Sequence, residues 1–202
     1  MTIIDSATLE VETALPVGGY PSGLTHVPEF RRLYVGNSLG STMSVIDLDT
    51  LETVATVDAE PGAGAIGVDQ TRRLVVCVNF VAASANFYDT DSFADVGRLE
   101  LGIGTCAIGI VPERGEAFIV NSIAGTVSRV DLDRIEVIEE IRTGSAPVGL
   151  TMHPSHDRAY VTNRGAGSVS VRTRGKGDQG SQTLDAFLTH AMQLVSEHSM
   201  EL

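Results

Sequence analysis

One short word returns in this chain at a constant step of 42 residues: Tyr34-Val35-Gly36-Asn37, Val76-Cys77-Val78-Asn79, Phe118-Ile119-Val120-Asn121 and Tyr160-Val161-Thr162-Asn163. A fixed period in this range marks a solenoid, propeller or array, and it constrains the fold more than any local motif does. Each copy sits in the same grammar. In the first unit Ser22–Val27, Arg32–Val35, Met43–Ile46 and Thr53–Val57 read as short strands, separated by turn residues such as Pro28, Asn37 and Asp47. Four strands per unit of this length make one blade of a β-propeller. The expectation is an all-β propeller of about four four-stranded blades, with repeats starting near residues 20, 62, 104 and 146.

The two ends depart from the repeat. Residues 4–17 align one step ahead of 46–59 and read as the last strand of a unit. In the fourth unit the phased Asp47, Asp89 and Asp131 give way to Thr173, and the glycine-rich stretch 173–182 reads as a flexible linker. Beyond it Leu184, Phe187, Leu188, Ala191 and Val195 fall at helical spacing behind a candidate N-cap, Thr183, so an amphipathic helix is expected over 183–200. On this count the N-terminus carries a spare last strand and the fourth unit lacks one. A homodimer closed by strand exchange is therefore expected. Two chains in one ring would turn about 45° per blade, near the ~51° of a seven-bladed ring, whereas one chain alone would need about 90°.

Composition narrows the partners. A formal charge of −12, with Lys176 as the only lysine, repels nucleic acid. No apolar run reaches the ~18 residues of a membrane span. The start, Met1-Thr2-Ile3-Ile4-Asp5, shows no basic segment and no long apolar stretch, so no signal peptide is visible and the chain reads as cytoplasmic as written. Cys77 takes the place of Val35, Ile119 and Val161 and reads as a small buried residue.

Motifs that could carry chemistry fail on context. Gly36-Asn37-Ser38-Leu39-Gly40 has the letters of a nucleophile elbow, but it lies between two strands, where the elbow needs a strand and then a helix. Gly62-Ala63-Gly64-Ala65-Ile66-Gly67 has the letters of a dinucleotide fingerprint but opens a strand. The phased pairs Asp47/Asp49, Asp89/Asp91 and Asp131/Asp133 lie on separate blades and cannot converge on one cation; aspartate bonding its own turn backbone explains them. His26 and His153 fall one position apart in the repeat frame and face opposite ways. No cofactor and no metal are expected.

The repeat, with Pro147-Val148-Gly149-Leu150 before Tyr160-Val161-Thr162-Asn163 and Ser168-Val169-Ser170-Val171 after it, resembles the YVTN-repeat β-propeller family of surface-layer-associated and YncE-like proteins. The resemblance covers about residues 4–171. It implies a propeller whose ligand face is made by the loops before each inner strand and after each second strand. Here those loops hold Tyr20, Asn37, Ser38, Asn79, Asn121, Ser122, Asn163 and Arg164. The expected role is non-catalytic binding or scaffolding toward a protein or a small ligand, with no nucleic acid and no membrane. Some relatives resemble lactonases and lyases, which makes an enzyme with its site on that same face the alternative.

Overall fold

The computed structural model describes residues 1–153, 157–165, 168–173 and 177–183, together with Ala186 and Thr189. It is an all-β propeller built from four-stranded antiparallel blades, laid side by side in chain order. A two-stranded sheet comes first, β1 (Thr2–Ile4) with β2 (Val11–Ala14). Blade 1 follows as β3 (Pro21–Val27), β4 (Arg32–Asn37), β5 (Thr42–Asp47) and β6 (Glu52–Asp58). Blade 2 is β7 (Ala63–Asp69), β8 (Leu74–Asn79), β9 (Ser84–Asp89) and β10 (Asp95–Glu100). Blade 3 is β11 (Thr105–Val111), β12 (Glu116–Asn121), β13 (Thr126–Asp131) and β14 (Glu136–Arg142). Blade 4 is β15 (Pro147–Met152), β16 (Arg158–Asn163), β17 (Ser168–Thr173) and β18 (Gly177–Thr183).

The recurring word forms the second strand of each blade, which is covered on both faces. Tyr34 and Val35 are both buried although they point opposite ways, and so are Val76 and Cys77. The clusters that cover them lie between consecutive blades. Tyr34, Met43 and Val45 of blade 1 pack on Ile66, Val75, Cys77 and Tyr88 of blade 2. Val76, Val78 and Phe87 of blade 2 pack on Ile119, Val130 and Ile108 of blade 3. Phe118, Val120 and Val127 of blade 3 meet Val161, Leu150 and Met152 of blade 4. Each such side chain contributes about 2 kcal/mol by leaving water. The inner strands come close enough that a Cβ on Gly23 or Gly36 would overlap the backbone carbonyl of Gly64 in the next blade. Thr25 Oγ1 donates across the same junction to Ile66 O at 2.7 Å.

Two expectations about the ends are corrected. The stretch 173–182, read as a linker, contains β18, which pairs antiparallel with β17 from Ser168↔Thr183 to Thr173↔Gly177. The fourth blade therefore has its outer strand from its own chain, and the vacancy that motivated strand exchange is filled. The N-terminus supplies two strands where one was expected. Thr2–Ile4 stands where 44–46 stands in the repeat, so β1 and β2 correspond to the third and fourth strands of a blade. This half-blade packs Met1, Leu15 and Val17 on Leu33, Val35 and Ile46 of blade 1. At the other end Thr183 Oγ1 accepts a hydrogen bond from the Ala186 N–H at 3.2 Å, as an N-cap does, and the rest of the expected helix lies outside the described residues.

The turns repeat as faithfully as the strands. Asp5, Asp47, Asp89 and Asp131 each accept backbone N–H bonds from residues two and three further on. Four residues after each of them, Leu9, Leu51, Phe93 and Ile135 adopt positive φ between 53° and 63°. These are side chains in a conformation that usually selects glycine. The aspartate bonding supplies what holds them there.

Candidate functional site

The loops between blades and those after each second strand stack on one another. Ser38 N–H donates to Tyr20 O, Phe80 N–H to Gly62 O, Ser122 N–H to Gly104 O and Arg164 N–H to Ala146 O, all within 2.9–3.0 Å. Gly62 N–H also donates to Ser38 O at 3.1 Å, which ties the face of blade 1 to that of blade 2. Gly62 and Gly104 have positive φ here, and a side chain on either would strike the following loop at residues 80–81 or 123. The residues expected on this face are thus gathered along one side of the array.

Their side chains part company. Asn37, Asn79, Asn121 and Asn163 are buried and unable to touch a ligand. Each amide Nδ2 reaches across to the third strand of its own blade: Asn37 to Thr42 and Ser44 Oγ, Asn79 to Ser84 Oγ and Asn86 Oδ1, Asn121 to Thr126 and Ser128 Oγ, Asn163 to Ser170 Oγ, at 2.8–3.1 Å. Gly18, Gly102 and Gly144 lie flat against three of these amides, where a Cβ would sit within 2.6–2.8 Å of the amide carbon. The asparagines are staples inside the blades. Ser38 and Ser122 are half-buried, and Ser38 Oγ lies 2.9 Å from Ala63 O, which accepts its proton, and 2.6 Å from Ser22 Oγ. Tyr20 and Arg164 remain exposed.

What the face presents instead is apolar. Leu39, Val81 and Ile123 occupy the same repeat position and are 79%, 71% and 66% exposed. Tyr20, Phe80 and Ile103 join them on the neighbouring loops, also exposed. The sequence signal for these residues was present: aliphatic side chains recurring in phase in a turn, where nothing in the blade can bury them.

The opposite face is built from charge. Arg31 pairs with Asp49 and Arg73 with Asp91 across the turns of one blade. Other contacts cross between blades: Gln70 Nε2 donates to Glu29 at 2.7 Å, and Arg114 Nη1 to Asp157 at 2.6 Å. Arg72 is the most connected of them. It donates to Asp133 at 2.7 and 3.0 Å, to buried Asp69 at 3.1 Å and to Pro112 O at 2.9 Å, joining blade 2 to blade 3. Its guanidinium holds the Asp133 carboxyl below the ordinary carboxylate range, while backbone N–H donors do the same for Asp47 and Asp89. The second aspartate of each turn pair is thus committed to an arginine, and the first to its own backbone.

Burial pushes the Cys77 thiol up to about 12 and also raises Cys106, so neither is a ready thiolate. Among the described residues, no three of His, Cys, Asp and Glu gather in a group that could hold a metal ion.

Among solved structures, the chain is similar in fold to the hydrazine synthase of Kuenenia stuttgartiensis, with a TM-score of 0.67 at 17% identity over 78% of this chain and 46% of that one. It is similar also to a functionally unknown protein from Desulfotomaculum acetoxidans, with a TM-score of 0.70 at 15% identity over 80% and 54%. The chain spans about half the length of each, and at such identity the likeness is one of fold alone. No family model matches the chain, and no curated protein does.

Proposed function

We propose that this chain is a non-catalytic binding or scaffold module of the YVTN-repeat kind, which holds an apolar segment of a protein partner against its loop face. The observation that carries this reading is the exposed set Leu39, Val81 and Ile123 at one repeat position, flanked by Tyr20, Phe80 and Ile103. Exposed apolar side chains gathered on one face mark a contact surface, because leaving them in water costs the stability that burial would return. The contrast between the two faces supports the same choice. Among the described residues of the charged face, Arg31, Arg72, Arg73 and Arg114 are committed to aspartates within and between blades.

The repeat wording Tyr160-Val161-Thr162-Asn163 in four phased copies supports the family assignment. A rim of this composition binds through burial, with aromatic Tyr20 and Phe80 as natural anchors. The test is a triple variant, Leu39→Glu/Val81→Glu/Ile123→Glu, beside Arg134→Ser on the opposite face. A protein co-purifying with the wild type is lost from the triple variant and retained by Arg134→Ser. Retention by the triple variant would overturn the assignment of the face.

A further inference from the structure

The outer strand of each blade delivers the chain to the loop face. After β6, β10 and β14 the chain turns back over its own blade: Ala59 N–H donates to Ser41 O, Leu101 N–H to Ala83 O and Thr143 N–H to Gly125 O, at 2.8–3.1 Å. β18 runs the same way, because Thr183 stands opposite Ser168, and Ser168 opposite Asn163 at the loop end of β16. Residue 184 therefore leaves blade 4 on the side that carries Leu39, Val81 and Ile123. At that repeat position blade 4 has Gly165, so the copy closest along the array is Ile123 of blade 3. Ile123 N–H donates to Ile103 O at 3.1 Å, and the two side chains stand together, 66% and 61% exposed.

The segment that follows β18 matches this surface in kind. Leu184, Phe187, Leu188, Ala191 and Val195 share one side of a helix, and Asp185 and Glu197 bracket a run without formal charge. The loops 38–41, 80–83, 102–104 and 122–125 carry no charged residue either, in a chain whose net charge is −12. Ala186 and Thr189 are helical and exposed, and on a helix both lie opposite the apolar stripe. The reach also fits. A helix over 184–195 is about 18 Å long, whereas neighbouring sheets stand about 10 Å apart.

We propose that residues 184–195 pack this stripe on Ile123 and Ile103 and close the blade 3 end of the loop face, from which a partner must displace them. The proposal rests on the reading of that face as the binding surface, and adds its regulation. A helix this short is marginal in water, so burial of the stripe is what forms it. Leu39, two blades further along, lies beyond its reach and stays open for a partner's first contact.

The test is a photo-crosslinking residue at position 187 of the purified full chain, irradiated in dilute solution without a partner. Peptide mapping by mass spectrometry is expected to find 187 joined to residues 101–104 or 122–125 of the same chain. A crosslinker at position 186, on the opposite side of the helix, is expected to give no such product. Ile123→Glu, at an exposed position, is expected to reduce the 187 product about tenfold or more, and Leu39→Glu to leave it unchanged. Absence of the product would overturn the proposal, as would a yield indifferent to Ile123→Glu, or products that join 187 only to the charged face or to a second copy. The proposal and the reading beneath it fail separately. A missing 187 product, beside a triple variant that still loses its co-purifying protein, overturns the docking alone. A 187 product beside a triple variant that keeps that protein supports the docking and overturns the reading of the face.

Discussion

Replacing Asn79 by alanine tests whether the recurring asparagine acts as a staple between strands. Asn79 is fully buried and donates to Ser84 Oγ at 3.0 Å and to Asn86 Oδ1 at 2.8 Å. The two lost hydrogen bonds are worth about 2 kcal/mol net, and Asn86 Oδ1, left buried without that donor, adds about 1 kcal/mol. Against this, Asn79 Oδ1 accepts from no protein donor, so its removal returns about 1 kcal/mol. The net loss is about 2 kcal/mol. In urea, with a slope near 2 kcal/mol/M, the unfolding midpoint should fall by about 1 M with the slope unchanged. Asn37 bonds two hydroxyls, Thr42 and Ser44, which can turn to other partners, so Asn37→Ala should cost less. A double-mutant cycle of Asn79→Ala with Asn86→Ala should return a coupling of about 1 kcal/mol. A loss below about 0.5 kcal/mol for Asn79→Ala would refute the staple, since that is the range of an ordinary surface substitution.

Other perturbations separate the remaining contributions. Arg72→Ala removes the link to Asp133 and Pro112 and exposes buried Asp69 to an unbalanced environment, so it should cost about 2 kcal/mol in urea unfolding. Arg31→Ala, at an exposed and solvent-screened pair, should leave the urea midpoint essentially unchanged. Gly36→Ala drives a Cβ into the rigid backbone of Gly64, so it should destabilise by about 3 kcal/mol, more than Gly109→Ala, whose neighbours Leu150 and Met152 can move. Both are read from the shift in urea midpoint. Asp47, Asp89 and Asp133 have folded pKa values below their unfolded ones. The stability they hold is therefore present above the unfolded value and lost as pH drops through the folded one, which places its loss below about pH 4. Asp89→Asn, which keeps the turn bonds but cannot titrate, should shallow that acid limb in a pH series of urea midpoints.

The blades were legible because their signal is local and repeated. A 42-residue step, β-branched strands and aspartate turns all point one way, and the core residues Val35, Cys77, Ile119 and Val161 could be aligned without coordinates. β18 was not legible, since Gly177-Asp178-Gln179-Gly180 has no strand propensity of its own. It is an outer strand, and pairing with the edge of β17 overrides composition. The asparagines could be placed at strand ends but not aimed, because the choice between facing out and facing the third strand depends on Ser44, Asn86, Ser128 and Ser170 across the sheet. The apolar rim went unseen for a related reason. Leu39, Val81 and Ile123 recur in phase in the turns after the second strands, but an aliphatic residue in a turn does not show from sequence alone whether a neighbouring loop covers it; here each is exposed.

A photo-crosslinking residue placed at one position at a time tests most directly whether the loop face does the binding. Positions 39, 81 and 123 sample the apolar rim, and positions 31, 73 and 134 sample the charged face. With the protein irradiated in its own cells, positions 39, 81 and 123 should each yield the same discrete crosslinked protein, and positions 31, 73 and 134 should not. The same product from positions 31, 73 and 134, with none from the rim, would contradict the assignment of the apolar face as the binding surface.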